Sequence, residues 1–444
     1  MKDLQRRTFL TAGFGLVTAG ALASCSRGGG DDDGGSTGGG DASGSGDAGS
    51  ASLRVSWYGG QPVHDGMAIA LEAFGTDNAD VEVATEFAPF GDFWDRLATQ
   101  TAAGDSPDVF RMSMTYFDEY ASRGALLDVG DALANGDIDA SGLDEDVAAS
   151  GTVAGGTFGV GQSSIVFAVF VDPDQLAAAG LEPPANGWTW EEFEALATAY
   201  AEATPDGTYG CNDNGGNFQA FEVYARQESG DLFSTDGELT FDAAVVESWL
   251  AYWHRLREAG VAPPADVTAE TQGFENALFV KNQCAMQWGW VQQVVFYQDV
   301  TDASLQVVSV PAKTAGDLSG AFIKALDFWC ISATTEVPEQ AAATVDFLLN
   351  DPRAIEAIGL TLGVPPSKAA RDQLAADPES APGRAIAYVE ELTDQVGPPP
   401  PAWPTGYSEI LSAFARANEQ VAFGEADPAT AAAGVMTAAE SALA

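Results

Sequence analysis

The sequence predicts an α/β fold in which mainly parallel sheets are flanked by helices, with enough chain for two domains. Three observations lead there. Segments of period-2 and period-3.6 apolar patterning alternate along residues 53–112, as expected when strands return to one sheet through helical crossovers. The alternation resumes over residues 157–332. Hydrophobic residues make up 46% of the 444, and about 390 residues follow a low-complexity N-terminal stretch, which is ample for two buried cores.

Leu53-Arg54-Val55-Ser56-Trp57 reads as the first strand, stopped by Gly59-Gly60. A helix follows over 64–75, and residues 81–87 alternate as a second strand. Asp92 stands where it would cap a helix over 93–103, closed by Gly104. Residues 107–112 return as a third strand. The 157–171 region is strand-rich, and Pro173 opens a helix that ends near Gly180. Thr189-Trp190-Glu191-Glu192 is a capping box. Helices are expected over 242–259, 270–280 and 290–298, with strands over 284–288, 305–310 and 326–332. Helices over 338–350 and 351–359 begin a helical final third, broken by the stiff run of four prolines at 398–401.

The N-terminus reads as an export address. Lys2, Arg6 and Arg7 precede an apolar stretch to Leu22 that is too short to span a bilayer. Arg6-Arg7-Thr8-Phe9-Leu10 resembles a twin-arginine signal, and Leu22-Ala23-Ser24-Cys25 resembles a bacterial lipobox. The resemblance implies that residues 1–24 are removed and that Cys25 carries the lipid. Two acyl chains at about 0.8 kcal/mol per buried methylene suffice for stable anchoring. Residues 26–52, mostly Gly, Ser, Asp, Ala and Thr, form a tether with a reach of roughly 29 Å. No later run of eighteen apolar residues suggests a membrane span.

Charge narrows the function classes. With 65 acidic and 19 basic residues the chain carries −46. The leader contributes +2 (Lys2, Arg6 and Arg7 against Asp3), which leaves −48 for the remainder. Such a field repels phosphate backbones and argues against nucleic-acid partners. The two histidines, His64 and His254, argue against a multi-histidine metal site or a Ser-His-Asp triad, and no cofactor motif occurs. Cys211, Cys284 and Cys330 allow one disulfide in three ways, or buried free thiols in apolar surroundings.

Several segments resemble the extracellular solute-binding proteins, family 1, of ABC importers. They are Ala103-Gly104-Asp105-Ser106-Pro107-Asp108-Val109, Val171-Asp172-Pro173-Asp174-Gln175-Leu176, Thr189-Trp190-Glu191-Glu192-Phe193, Cys284-Ala285-Met286-Gln287-Trp288-Gly289-Trp290, Pro338-Glu339-Gln340-Ala341-Ala342 and Gly363-Val364-Pro365-Pro366-Ser367. They occur in family order across 53–444. The resemblance implies a two-lobe periplasmic-binding-protein-like fold of type II, with an N-terminal lobe of 53–165 and 327–363 and a C-terminal lobe of 166–326 and 364–444. It places hinge crossings near 162–167, 325–330 and 363–366. It also implies capture of a carbohydrate between the lobes, delivery to the importer's transmembrane subunits, a monomer at the outer face of the cell membrane, and no enzymatic activity.

A sugar presents C–H faces to flat rings and hydroxyls to fixed donors and acceptors. Trp57, Tyr58 and Gln61 follow from this as candidates, since ligand crevices open beyond strand ends. Trp288 and Trp290 flank Gly289, where the family segment carries a stacking tryptophan, and Trp290 is preferred at the ligand. Trp403 and Tyr407 follow the proline run. Asp92, Asp108, Ser163, Ser164, Asn212, Asp327 and Trp329 complete the candidate set. Trp94, Trp190 and Trp253 read as packing residues. Two other readings stay open: a polyamine ligand between aromatic walls and acidic ends, and a surface-anchored glycosidase with paired carboxylates.

Overall fold

Ala51–Tyr58 (β1) pairs in parallel with Val81–Ala88 (β2) along its whole length, Ala51 opposite Val81 and Tyr58 opposite Ala88. The computed structural model describes residues 51–444 except Gln272 and Ala376; the leader, Cys25 and most of the tether lie outside the described residues. Gln61–Asp77 (α1) makes the crossover between the two strands, and Phe90–Ala103 (α2) leads on to Val109–Ser113 (β3), which pairs in parallel on the other side of β1. Thr152–Val153 (β4) and Gly156–Thr157 (β5) form a small hairpin. Val160–Gly161 (β6) closes one edge of the main sheet.

Phe167–Val171 (β7) starts a second sheet, flanked by Met286–Trp290 (β8) and Gln306–Ser309 (β9) in the order β8-β7-β9. The chain then returns: Asp327–Ile331 (β10) inserts between β3 and β6, giving β2-β1-β3-β10-β6. β10 is antiparallel to both neighbours, and β7 is antiparallel to both of its own. The expectation of mainly parallel pairing is therefore corrected. It holds for β1, β2 and β3, whose links are short βα crossovers. β8 and β9 instead run back to end beside the start of β7, Trp290 opposite Phe167 and Ser309 opposite Ala168.

Between the sheets the chain passes three times, and the passages lie side by side. Ser164 bridges Val364, and Ile165 bridges Lys324. Ser164 N–H donates to the Val364 carbonyl at 2.7 Å and Ile165 N–H to the Lys324 carbonyl at 3.0 Å. Gly363 stands beside this bridge at φ +126°, and a Cβ there would sit 2.4 Å from the Cβ of Ser163.

Two clusters of apolar residues fill the space around the first sheet. Leu53, Val55 and Trp57 of β1 pack with Met67, Leu71 and Phe74 of α1 and with Val345 and Leu348 of helix Pro338–Asn350. Trp329 lies in the same cluster. Trp57 and Trp329, expected at the ligand, are 1% and 2% exposed, because alternate residues of an interior strand face the covering helices. The Trp57 indole N–H donates to His64 Nδ1 at 3.0 Å, and burial lowers the His64 pKa from its ordinary value.

Local departures have plain causes. α2 starts at Phe90 with Pro89 before it, so Asp92 lies in the first turn instead of capping, where a carboxylate still complements the helix dipole. The helix expected over 270–280 is divided into Ala265–Glu270 and a 3₁₀ turn, Phe274–Asn276, by Gly273 at φ +82°. The capping box at Thr189 forms, with Glu192 receiving the Thr189 N–H at 2.7 Å. Cys211, Cys284 and Cys330 are buried free thiols, which settles the open pairing.

Gly363→Ala should lower stability by about 1–3 kcal/mol, the range for enforced backbone strain, and Ser163→Gly in the same chain should recover part of the loss. Chemical denaturation of the three proteins checks this. A Gly363→Ala midpoint equal to wild type would show that the crossing has room.

Candidate functional site

β1 ends at Tyr58, and Gly59 at φ +154° turns the chain so closely that a Cβ would lie 2.8 Å from Val63. The uncapped start of α1 is thereby brought to a cleft of about 940 Å³. On the first sheet's side its walls include Tyr58, Gly59, Gly60, Phe90 and Arg111; on the second sheet's side they include Phe274, Glu275, Gln293, Phe296 and Asp299. A cavity of about 410 Å³ adjoins it, sharing Gly273, Phe274 and Gln293, and reaches Asn212, Asn214, Gln287, Trp288 and Trp290.

Arg111 organises the first wall. One guanidinium nitrogen donates to the Tyr58 carbonyl at 2.9 Å, another to Asp327 Oδ2 at 2.5 Å, and the group lies 4.2 Å from the Tyr58 ring centroid. The Tyr58 hydroxyl donates to the other oxygen of Asp327. Burial, reinforced by Asp327, pushes the Tyr58 phenol well above its ordinary pKa. Burial alone would lower the Arg111 pKa, but Asp327 and Tyr58 leave it raised. The arrangement holds the ends of β1, β3 and β10 together.

The second wall is built around amides. The Asn212 N–H donates to the Met286 carbonyl at 3.1 Å, and its Oδ1 accepts from the Trp288 N–H at 2.9 Å and from Asn214 Nδ2 at 3.2 Å. Asp213 is held by Arg257 through contacts of 2.7 and 2.8 Å. Asn217 caps helix Phe218–Ser229. Trp290 is half-buried, edge-on to Phe167 at 5.1 Å, with its N–H donating to Gln293 Oε1 at 3.0 Å. Trp288 is 3% exposed and boxed by Trp190, Phe193 and Trp253 at 5.3–6.1 Å between ring centroids. The residue borders the cavity, and its buried indole N–H has no hydrogen-bond partner among the described residues.

Of the sequence candidates, Tyr58, Asn212, Trp288 and Trp290 line these cavities. Asp327 stands behind Arg111. Gln61 is exposed and donates to Asp65, and Asp92 is exposed on α2. Asp108 lies at the opposite end of β3, accepting from the Arg54 N–H at 2.8 Å and the Thr335 hydroxyl at 2.6 Å, so it serves the far rim of the sheet. Ser163 and Ser164 are buried at the crossing, where the Ser164 hydroxyl donates to Asp144. Trp403 and Tyr407 stack at 4.1 Å and 6° and are 1% and 0% exposed. Gly406 packs against the Ala442 carbonyl and turns this segment inward. Sequence reasoning missed Arg111, Phe90, Phe274, Gln293 and Phe296. A lone basic residue in the apolar strand Val109–Ser113 was the available signal for Arg111.

Beside the crossing, Lys324 is fully buried. Its ammonium lies 3.7 Å from the Trp403 ring centroid and 3.9 Å from Glu222 Oε2. Burial pulls its pKa to about 8 despite the upward pull of Glu222. Between that value and the unperturbed 10.5, the unfolded chain holds a proton that the folded protein has released, so this group makes stability rise with pH. The Tm of wild type minus that of Lys324→Met should therefore increase from pH 8 to 10.5. A flat difference would show that Lys324 titrates in its ordinary range.

Residues 61–354 match the family described as bacterial extracellular solute-binding protein. An extracellular solute-binding protein family 1 structure from Alicyclobacillus acidocaldarius is 30% identical, with 88% of this chain and 98% of that one covered and a TM-score of 0.68. Two more distant structures share the fold. A periplasmic oligogalacturonide-binding protein from Yersinia enterocolitica, in complex with saturated digalacturonic acid, is 21% identical over 89% of this chain and 100% of its own, with TM-score 0.77. An ABC substrate-binding protein from Listeria monocytogenes, in complex with cycloalternan, is 20% identical over 88% and 98%, with TM-score 0.73. The cleft, the two sheets and the bridged passages thus sit in a chain that belongs to the bacterial extracellular solute-binding protein family.

Proposed function

We propose that this protein captures a carbohydrate and delivers it to the transmembrane subunits of an ABC importer, working as a monomer tethered by lipid on Cys25 at the outer face of the cell membrane. The observation that carries the reading is the lining of the joined cavities, where aromatic rings alternate with fixed amides. Trp290, Phe274, Phe90 and Phe296 offer flat faces, and Asn212, Asn214, Gln287 and Gln293 offer paired donors and acceptors. Rings take the C–H faces of a pyranose, and amides take its hydroxyls. Relatives of this fold in complex with digalacturonic acid and cycloalternan support a sugar ligand.

The mechanism follows from the topology. In this reading the lobes are 53–165 with 327–363, and 166–326 with 364–444, and the bridged passages at Ser164, Ile165, Lys324 and Val364 are the hinge. A ligand that touches Tyr58 and Phe90 on one wall and Trp290 and Phe274 on the other stabilises only the closed arrangement, so binding shifts the population toward closure. Closure then presents one outer surface to the membrane subunits. The protein makes and breaks no covalent bond.

A thermal-shift screen against a panel of mono- and oligosaccharides tests this. A sugar at a hundred times its Kd adds about 2.7 kcal/mol to stability, an upward Tm shift of about 3 °C for a chain of this size. Trp290→Ala should weaken the best sugar by more than tenfold in calorimetry. Silence across the panel, beside a shift with spermidine, would replace the carbohydrate reading with a polyamine one.

A further inference from the structure

The joined cavities have an unusual balance of charge. Among the described residues that line them, Arg111 is the only cation, and Asp327 and the Tyr58 carbonyl already engage it. Three carboxylates line the same space: Asp213, Glu275 and Asp299. Arg257 neutralises Asp213 from outside the lining. Glu275 and Asp299 are exposed on the second sheet's side of the cleft that Tyr58 and Gly60 also line, with no ion pair among the described residues. The net field of a chain at −46 has the same sign.

A ligand carboxylate entering here would meet two uncompensated like charges and lose water without gaining a cation. The free end of α1 at Gly60 offers only a partial positive charge, about half an elementary charge, which suits a hydroxyl oxygen better than it offsets two carboxylates. A neutral saccharide brings no charge to be desolvated or repelled, and amides and rings in the lining offer it hydrogen bonds and flat faces.

We propose that the cleft admits uncharged saccharides and excludes those that bear carboxylates, with Glu275 and Asp299 as the residues that impose the exclusion. The inference rests on the carbohydrate reading above and names the class of sugar within it. It also separates this chain from the Yersinia relative seen with digalacturonic acid.

The test is calorimetry on the full chain with matched probes: galactobiose against digalacturonate, and the best neutral sugar of the thermal-shift panel against its own C6-carboxylate. The acidic member should bind at least tenfold more weakly, about 1.4 kcal/mol. The gap should shrink as salt rises from about 0.01 to 1 M, because the two rim carboxylates are exposed and screened. It should also shrink in the double variant Glu275→Gln/Asp299→Asn. Equal or tighter binding of the acidic member overturns the exclusion while leaving the carbohydrate reading intact. An undiminished gap in the double variant overturns the assignment to these two residues. Silence with every sugar, neutral or acidic, removes the carbohydrate reading and this inference with it.

Discussion

The guanidinium of Arg111 receives contacts from two other strands, and much of the molecule depends on that meeting. Asp327 reaches it from β10, and the Tyr58 carbonyl from β1, while Arg111 itself belongs to β3. These are the strand ends at which the cleft opens. β10 follows the Lys324 passage that returns from the second sheet, so the pair also ties the second crossing to the first sheet. All three side chains are under 10% exposed. Desolvating two charges is costly, and a pair of this kind is a device for position more than for net stability. It holds a flat ring and a turn in register with the wall across the cleft.

The second wall obeys a different rule. Its backbone is organised by neutral amides, with Asn212 joining β8 to the loop before helix Phe218–Ser229. Neutral amides can be held by one or two hydrogen bonds to the protein and still present spare capacity to a ligand, since each has two donors and an acceptor with two lone pairs. A charged wall would need compensation for every ligand that lacks the opposite charge. Closed ion pairs, Arg111 with Asp327 and Arg257 with Asp213, beside a set of neutral amides suit the inner cleft to hydroxyl-rich molecules, while Glu275 and Asp299 stay at its rim.

The aromatic residues show why composition alone misleads about a site. Ten tryptophans suggested several stacking surfaces. Trp57, Trp329 and Trp403 are instead buried in the cores, and Trp288 is boxed by three other rings. An indole is large enough to reward burial with several kcal/mol of transfer free energy, so the fold uses most of them internally. Trp290 escapes because it ends an edge strand, β8, where it borders the cavity. Its neighbours on the cleft are phenylalanines that no sequence pattern distinguished from core.

What the chain alone determined was local and periodic. Strand and helix alternation, the capping box at Thr189 and the crossover sequence of β1, β2 and β3 all follow from short-range patterning. Strand direction in the second sheet, the inward turn of Trp403 and Tyr407, and the closing of Arg111 by Asp327 were decided only by the tertiary structure. Those outcomes join residues far apart in the chain: Phe167 meets Trp290, Glu222 meets Trp403, and Arg111 meets Asp327 at a separation of 216. Side-chain direction at such a meeting depends on which neighbour arrives to cover it, and a linear pattern carries no information about arrival.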